Sequence, residues 1–89
     1  MLTQQITILN KLGLHARAAS VFVKTAGAFA SEIKVTHEEN EANGKSIMSM
    51  MMLAASCGTD LVITVEGEDE EEAMTAIADI INNRFGEAE

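Results

Sequence analysis

Residues 60–66, Asp-Leu-Val-Ile-Thr-Val-Glu, alternate without a break, placing Leu61, Ile63 and Val65 on one face. A strand of this kind buries one side and leaves the other in water. The same period recurs in residues 3–9, where Ile6 and Ile8 share a side, and in residues 32–37, where Ile33 and Val35 point one way. Residues 38–40 read as a hairpin turn, and residues 41–44 as a short fourth strand. A sheet made from such strands has one dry face, so its covering elements must lie in a single layer.

The cover is legible where the period changes. Ala19, Phe22, Val23 and Ala26 fall at i, i+3, i+4 and i+7, one side of a helix that starts near Ala16 and that Gly27 can close. Ser46 is placed to cap a second helix over "IMSMMMLAAS" (47–56), with Gly58 as its stop. In the third, Asp69 and Glu72 have the spacing of a capping box, Ala73, Ile77, Ile80, Ile81 and Arg84 line one side, and Gly86 ends it. The acids from Asp69 to Glu72 complement the dipole of that helix. The order is β-α-β-β-α-β-α. This predicts an α+β fold, a two-layer open-faced sandwich with a four-stranded antiparallel sheet covered on one face by three helices. No linker, repeat or proline interrupts the chain, so residues 1–89 are expected to form one domain.

Apolar residues make up 47% of the chain, with three Phe and no Trp or Tyr, so the core must come from Ile, Val, Leu, Met and Ala. A lone cysteine, Cys57, cannot form an internal disulfide, which suits a reducing compartment. The opening residues lack a signal-peptide pattern and no apolar run reaches membrane-spanning length. A cytoplasmic protein with no membrane insertion is expected. The net charge of −8 argues against nucleic acid as a partner. Yet the first thirty residues hold Lys11, Arg17 and Lys24 and no acid, so a locally positive surface is expected near residue 15.

Into that basic stretch falls "GLHARAA" (13–19). Gly13 supplies the freedom of a turn, and His15 stands where the first helix begins. A helix N-terminus presents unpaired N–H groups and partial positive charge, a ready anion site formed here by the amides of Ala16 and Arg17. The Arg17 guanidinium adds a fork of donors suited to phosphate oxygens. An imidazole in this place can accept a phosphoryl group and hold it among donors. By itself the spacing favours a plainer reading, a histidine used as a weak N-cap with Arg17 solvated, because short motifs often recur without function. Metal binding has less support, because His15, His37 and Cys57 are far apart and lack ligand spacing. No nucleophile elbow or paired catalytic carboxylates point to an enzyme with its own turnover.

The segment "GKSIMSMMMLAA" (44–55) is apolar nearly all round. On helical spacing Met50, Leu53 and Ala54 form one stripe and Ile47, Met48, Met51 and Met52 another. Only one stripe can face the sheet, so the second is expected to lie exposed as a docking surface, a use that suits the adaptable methionine side chain. Phosphorylation of Ser46 would set about −1.5 to −2 charges beside that surface and oppose any partner that buries it.

Taken together, "GLHARAA" (13–19), "GKSIM" (44–48) and the β-α-β-β-α-β-α order resemble the histidine-containing phosphocarrier family, HPr, of the bacterial phosphotransferase system, over essentially the whole chain. The resemblance implies that His15 takes a phosphoryl group on Nδ1 from phospho-enzyme I and passes it to enzyme IIA domains, assisted by Arg17. It implies that Ser46 is the target of HPr kinase/phosphorylase, with a transcriptional regulator as a further partner. Ile47, Met48, Met51 and Met52, with Lys24 and Lys45, would contact partners. A monomer without metal or cofactor is expected, a substrate of other enzymes and not a catalyst. Ala18 departs from the family, which usually has proline there. Proline presets a first helical turn but donates nothing to phosphate, so the chemistry should survive. The flanking "NKLG" and "EDEEEA" are also similar to the nitrogen-related paralogue NPr, which gives the alternative of a regulatory phosphocarrier.

Overall fold

The computed structural model describes residues 1–88. Four strands, β1 (Leu2–Thr7), β2 (Glu32–His37), β3 (Asn40–Asn43) and β4 (Asp60–Glu66), alternate with three helices, α1 (Ala16–Gly27), α2 (Ile47–Met52) and α3 (Glu70–Asn82). A short 3-10 turn at Arg84–Gly86 follows α3. The sheet order is β1-β4-β2-β3, and every neighbouring pair is antiparallel. The sheet centres on β4, as its unbroken alternation requires. Leu61, Ile63 and Val65 are fully buried, Ile63 standing opposite Gln4 on one neighbour and Val35 on the other.

All three helices share one face of the sheet. The core joins Ile6, Ile33, Val35 and the β4 triplet to Ala19, Phe22 and Ala26 of α1, Met50 of α2, and Ala73, Met74, Ile77 and Ile81 of α3. Burying each of the larger of these side chains stabilises the fold by about 1.5–3 kcal/mol. Ala18 is fully buried against this core.

Four local expectations are corrected. First, β1 stops at Thr7 and does not run to Leu9. Ile8 leaves the ladder to exchange backbone hydrogen bonds with the loop ahead of β4, its N–H donating to Thr59 O at 2.8 Å and its carbonyl accepting from Gly58 N at 2.8 Å. Gly58 therefore shapes that loop and does not stop a helix. Secondly, β3 is shifted back by one residue, because the hairpin closes over Glu38 and Glu39 alone, pairing His37 with Asn40. Gly44 lies just beyond it against β2, where a Cβ would fall 2.6 Å from Ile33 Cγ2, so only glycine fits.

Thirdly, α2 ends at Met52, not near residue 56. Leu53 caps it and Ala54 turns to φ +51°, so Ala54 is exposed while Leu53 and Ala55 are buried. An apolar surround gives no period by which the end of a helix can be read. Fourthly, the capping box at α3 does not form. The Asp69 carboxylate turns away from its own helix and accepts hydrogen bonds from Ala30 N (2.8 Å), Ser31 N (2.9 Å) and the Ser31 hydroxyl. These hydrogen bonds, the Ser31 hydroxyl foremost, hold Asp69 below the ordinary carboxylate range. At the far end Arg84 lies past the helix, exposed and at φ +54°, and Met74 fills the core position that the sequence pattern left unassigned.

Candidate functional site

The loop from Ile8 to His15 is fixed from below by Asn10, whose side chain is fully buried. Its amide Nδ2 donates to Gly13 O at 2.7 Å, and Gly13 N donates to Asn10 O at 3.1 Å. Gly13 takes φ +69°, and a Cβ on it would lie 2.5 Å from Ala55 O, so the expected turn needs glycine on both counts. Leu14 is buried and its N–H donates to Ala55 O at 2.8 Å. That bond ties the loop to the segment leaving α2. The next residue, His15, is therefore placed by backbone on both sides.

His15 occupies the N-cap of α1 in extended conformation (φ −79°, ψ −179°), and its carbonyl receives the Ala19 N–H at 2.8 Å. Its side chain does not cap the helix. The ring, about one-third exposed, turns instead to the segment beyond α3, where Nε2 meets Glu87 Oε2. The first-turn amides of α1, including those of Ala16 and Arg17, are thus not spent on an N-cap side chain, and no acidic residue lies in that turn. Arg17 is exposed and borders an open cleft of about 570 Å³ with Lys11, Leu12, Phe85, Gly86, Glu87 and Ala88.

Glu87, together with Asn10, makes the contact to His15 that the sequence reading missed. Asn10 Nδ2 donates to Glu87 Oε1 at 2.9 Å, so one amide grips both the turn and the carboxylate. The Asn10 hydrogen bond is the main influence holding Glu87 below the ordinary carboxylate range. Desolvation opposes it, while the His15 hydrogen bond and the charges of His15 and Arg17 add to it. The carboxylate is ionised at neutral pH. The surface around His15 is therefore not uniformly positive, as the first thirty residues suggested, because a chain segment 72 residues away brings an anion to the ring. No motif spacing could have announced a contact made only by tertiary closure. The one local sign was an asparagine ahead of a glycine turn.

An ionised carboxylate only accepts hydrogen bonds, so a neutral His15 ring facing it would carry its hydrogen on Nε2 and its lone pair on Nδ1. Among the described residues Nδ1 has no hydrogen-bond partner. The imidazole at the N-cap, the Arg17 side chain two residues on and the positive end of α1 lie close together.

Ser46 and the methionines form a separate feature on α2. Ser46 is the N-cap, its Oγ accepting from Ser49 N at 3.3 Å. Met50 is fully buried, whereas Ile47, Met48, Met51 and Met52 are 42%, 72%, 42% and 80% exposed, the division expected from the two stripes. The α1 and α2 helices pack against each other. Lys24 is exposed in the last turn of α1, and Lys45 Nζ donates to Phe29 O at 2.7 Å. His37 and Cys57 join neither feature. His37 lies 3.9 Å from Glu38, and the exposed Cys57 thiol faces Leu9 O.

Comparison with known proteins agrees with this architecture. The family model described as "PTS HPr component phosphorylation site" matches residues 2–83. The chain is 55% identical over 89 residues to the phosphocarrier protein HPr of Neisseria meningitidis, covering all of both chains. It superposes on the crystal structure of HPr-C-His from Thermoanaerobacter tengcongensis with a TM-score of 0.96 at 46% identity, again over the whole of both. A crystal structure of an HPr dimer from the same organism is also similar, with a TM-score of 0.78 at 47% identity over 98% of this chain.

Proposed function

The chain belongs to the HPr family of phosphotransferase-system phosphocarriers, and from that premise we propose that His15 is its phosphoryl acceptor, loaded on Nδ1 by phospho-enzyme I and discharged to enzyme IIA domains during sugar uptake. The observation that carries this reading is the placement of the ring. His15 is the N-cap of α1, Glu87 meets its Nε2 and Arg17 borders the cleft beside Glu87, so Nδ1 is the ring nitrogen left for a phosphoryl group. A phosphoryl dianion on Nδ1 would meet the amides of Ala16 and Arg17 and the Arg17 guanidinium, donors matched to its oxygens. The group stays on the carrier until a partner takes it, so the chain is a substrate passed between enzymes and has no turnover of its own. A cytoplasmic location goes with this role, and among the described residues no helix is long and apolar enough to cross a membrane.

The exposed Ile47, Met48, Met51 and Met52 form the surface on which donor and acceptor dock in turn, with Lys24 and Lys45 contributing at α1 and ahead of α2. Ser46 is the target of an ATP-dependent HPr kinase/phosphorylase. Its phosphate would hinder that docking and recruit a transcriptional regulator. A monomer suits a shuttle that must release each partner, and size-exclusion chromatography checks it against the dimer found for a relative. The alternative, an NPr-type regulatory carrier of the nitrogen-related branch, shares the His15 chemistry and differs only in which enzyme I loads it.

The deciding experiment supplies enzyme I and phosphoenolpyruvate and follows an acid-labile, base-stable phosphate on the chain. The expected result is stoichiometric labelling that is lost in His15→Ala. Retained labelling in that variant would refute the assignment.

A further inference from the structure

The outer face of α2 carries three thioethers whose own chemistry the docking role leaves unused. We propose that Met48, Met51 and Met52 form a site of reversible oxidation by hydrogen peroxide, and that sulfoxide on this face weakens docking. The effect on docking rests on the reading of that face given above, whereas the oxidation itself does not.

The six methionines of the chain divide by access. Met48, Met51 and Met52 are 72%, 42% and 80% exposed, while Met50 is fully buried and Met74 lies in the core. Positions 48, 51 and 52 stand at i, i+3 and i+4, so their side chains share one side of the helix. Met50 turns the other way and joins the core cluster. One helix of six residues thus sets three accessible thioethers beside a protected one. Met1 is also exposed, but its ammonium ties it to Glu70 at the start of α3. The grouping on α2 matters because any oxygen gained there falls on a single surface.

The reaction needs only peroxide. A lone pair on Sδ forms a bond to one peroxide oxygen while the O–O bond breaks, its electron pair leaving with the other oxygen as hydroxide. That hydroxide collects the proton of the transferred oxygen and departs as water. Sulfur has given up two electrons and peroxide has taken them. A thiol-dependent reductase reverses the change, two thiols closing to a disulfide as the oxygen leaves as water. The sulfoxide is polar and a hydrogen-bond acceptor, so pressing it against an apolar partner strands it without the water it would otherwise hold. Phosphate on Ser46 would act at the end of the same helix through charge. Sulfoxide acts along its face with no charge at all.

The test uses the full chain with Cys57→Ser, which removes the one thiol that competes for peroxide. Peptide mass spectrometry reads the gain of one oxygen at each methionine, in the folded chain and in urea. In the folded chain Met48, Met51, Met52 and Met1 should oxidise, with Met50 and Met74 at least about tenfold slower because they react only on opening. In urea all six should react alike. Protection of Met50 also shows that α2 has stayed packed. Loading of His15 by phospho-enzyme I should then show KM raised about tenfold with the maximal rate unchanged, the size expected for one polar group set in an apolar contact. Methionine sulfoxide reductases acting on both epimers should restore the original KM. With Met48→Leu, Met51→Leu and Met52→Leu combined, peroxide should leave that variant's own KM where it was. Met48→Gln combined with Met52→Gln, never oxidised, reads the docking surface alone and should also raise KM. Oxidation of Met50 as fast as its three neighbours in the folded chain overturns the proposal. So does an unchanged KM after oxidation when the glutamine variant raises it. If the glutamine variant leaves KM unchanged as well, the docking reading is what fails, and the effect proposed on it falls too.

Discussion

The N-termini of α1 and α2 show two uses of one architectural position. At α2 the N-cap Ser46 bends its hydroxyl back to Ser49 N and satisfies a donor the helix cannot satisfy itself. At α1 the N-cap His15 turns outward to Glu87, and the amides behind it keep their capacity for an anion. One cap closes its helix; the other leaves it open for chemistry. The difference lies in the reach of each side chain and in what waits for it. A serine oxygen is confined to its own backbone, whereas an imidazole spans to a carboxylate brought from the far end of the fold. The α3 terminus is a third case, in which Asp69 forsakes its helix to clamp the loop at Ala30 and Ser31.

The most severe way to break this contrast is to give α1 the cap that α2 has. In His15→Ser, phosphoryl acceptance from phospho-enzyme I should disappear entirely. Stability in urea should change by no more than about 1 kcal/mol, because a serine cap replaces the lost Glu87 contact. Loss of activity by unfolding would instead mean that His15 holds the loop together. The reciprocal change, Ser46→Ala, should cost about 1 kcal/mol in the same urea titration and leave His15 labelling intact. It should also abolish labelling from ATP by the kinase. Persistence of that labelling would move the phosphorylation site elsewhere.

The smallest effect is expected at Asp69, where it sharpens the comparison. The folded-state pKa of Asp69 lies below its ordinary value of 3.8. Its contribution to stability is therefore fully present above that value and is lost as pH falls through the lower, folded-state one. Asp69→Asn should melt at a lower temperature than the wild type at neutral pH. The gap between them should narrow on acidification below the ordinary carboxylate range. A gap that is constant with pH would show that the difference between the two does not depend on ionisation of Asp69.

Much of the arrangement was legible in the chain because strict alternation leaves little choice. Leu61, Ile63 and Val65 cannot share a face without putting their neighbours in water, and a sheet with one wet face admits only one layer of helices. Ser46 was legible for a related reason, a small hydroxyl standing directly ahead of an apolar run. What escaped was decided by contacts between distant segments. Asp69 and Glu72 have a capping-box spacing, but Ser31, 38 residues away, offers the Asp69 carboxylate a better set of donors. Met50 and Ala54 share a helical stripe only if the helix continues, and it stops when Ala54 turns left-handed. Within the candidate site, His15 and Arg17 were visible from their place at the start of a helical period. Asn10 and Glu87 were not, since a buried amide and a distant carboxylate carry no shared periodicity.

The Asn10–Glu87 bond joins positions 77 residues apart, and this has a consequence for the time at which the ring acquires its partner. During synthesis His15 leaves the ribosome long before Glu87 exists. Until α3 has packed and Phe85 has seated, the Glu87 carboxylate is not held against the ring. A nascent or locally opened chain carries the same histidine without that contact. The early loop and the late segment meet only in the finished fold, so an intact His15–Glu87 contact reports that both ends of the chain are in place.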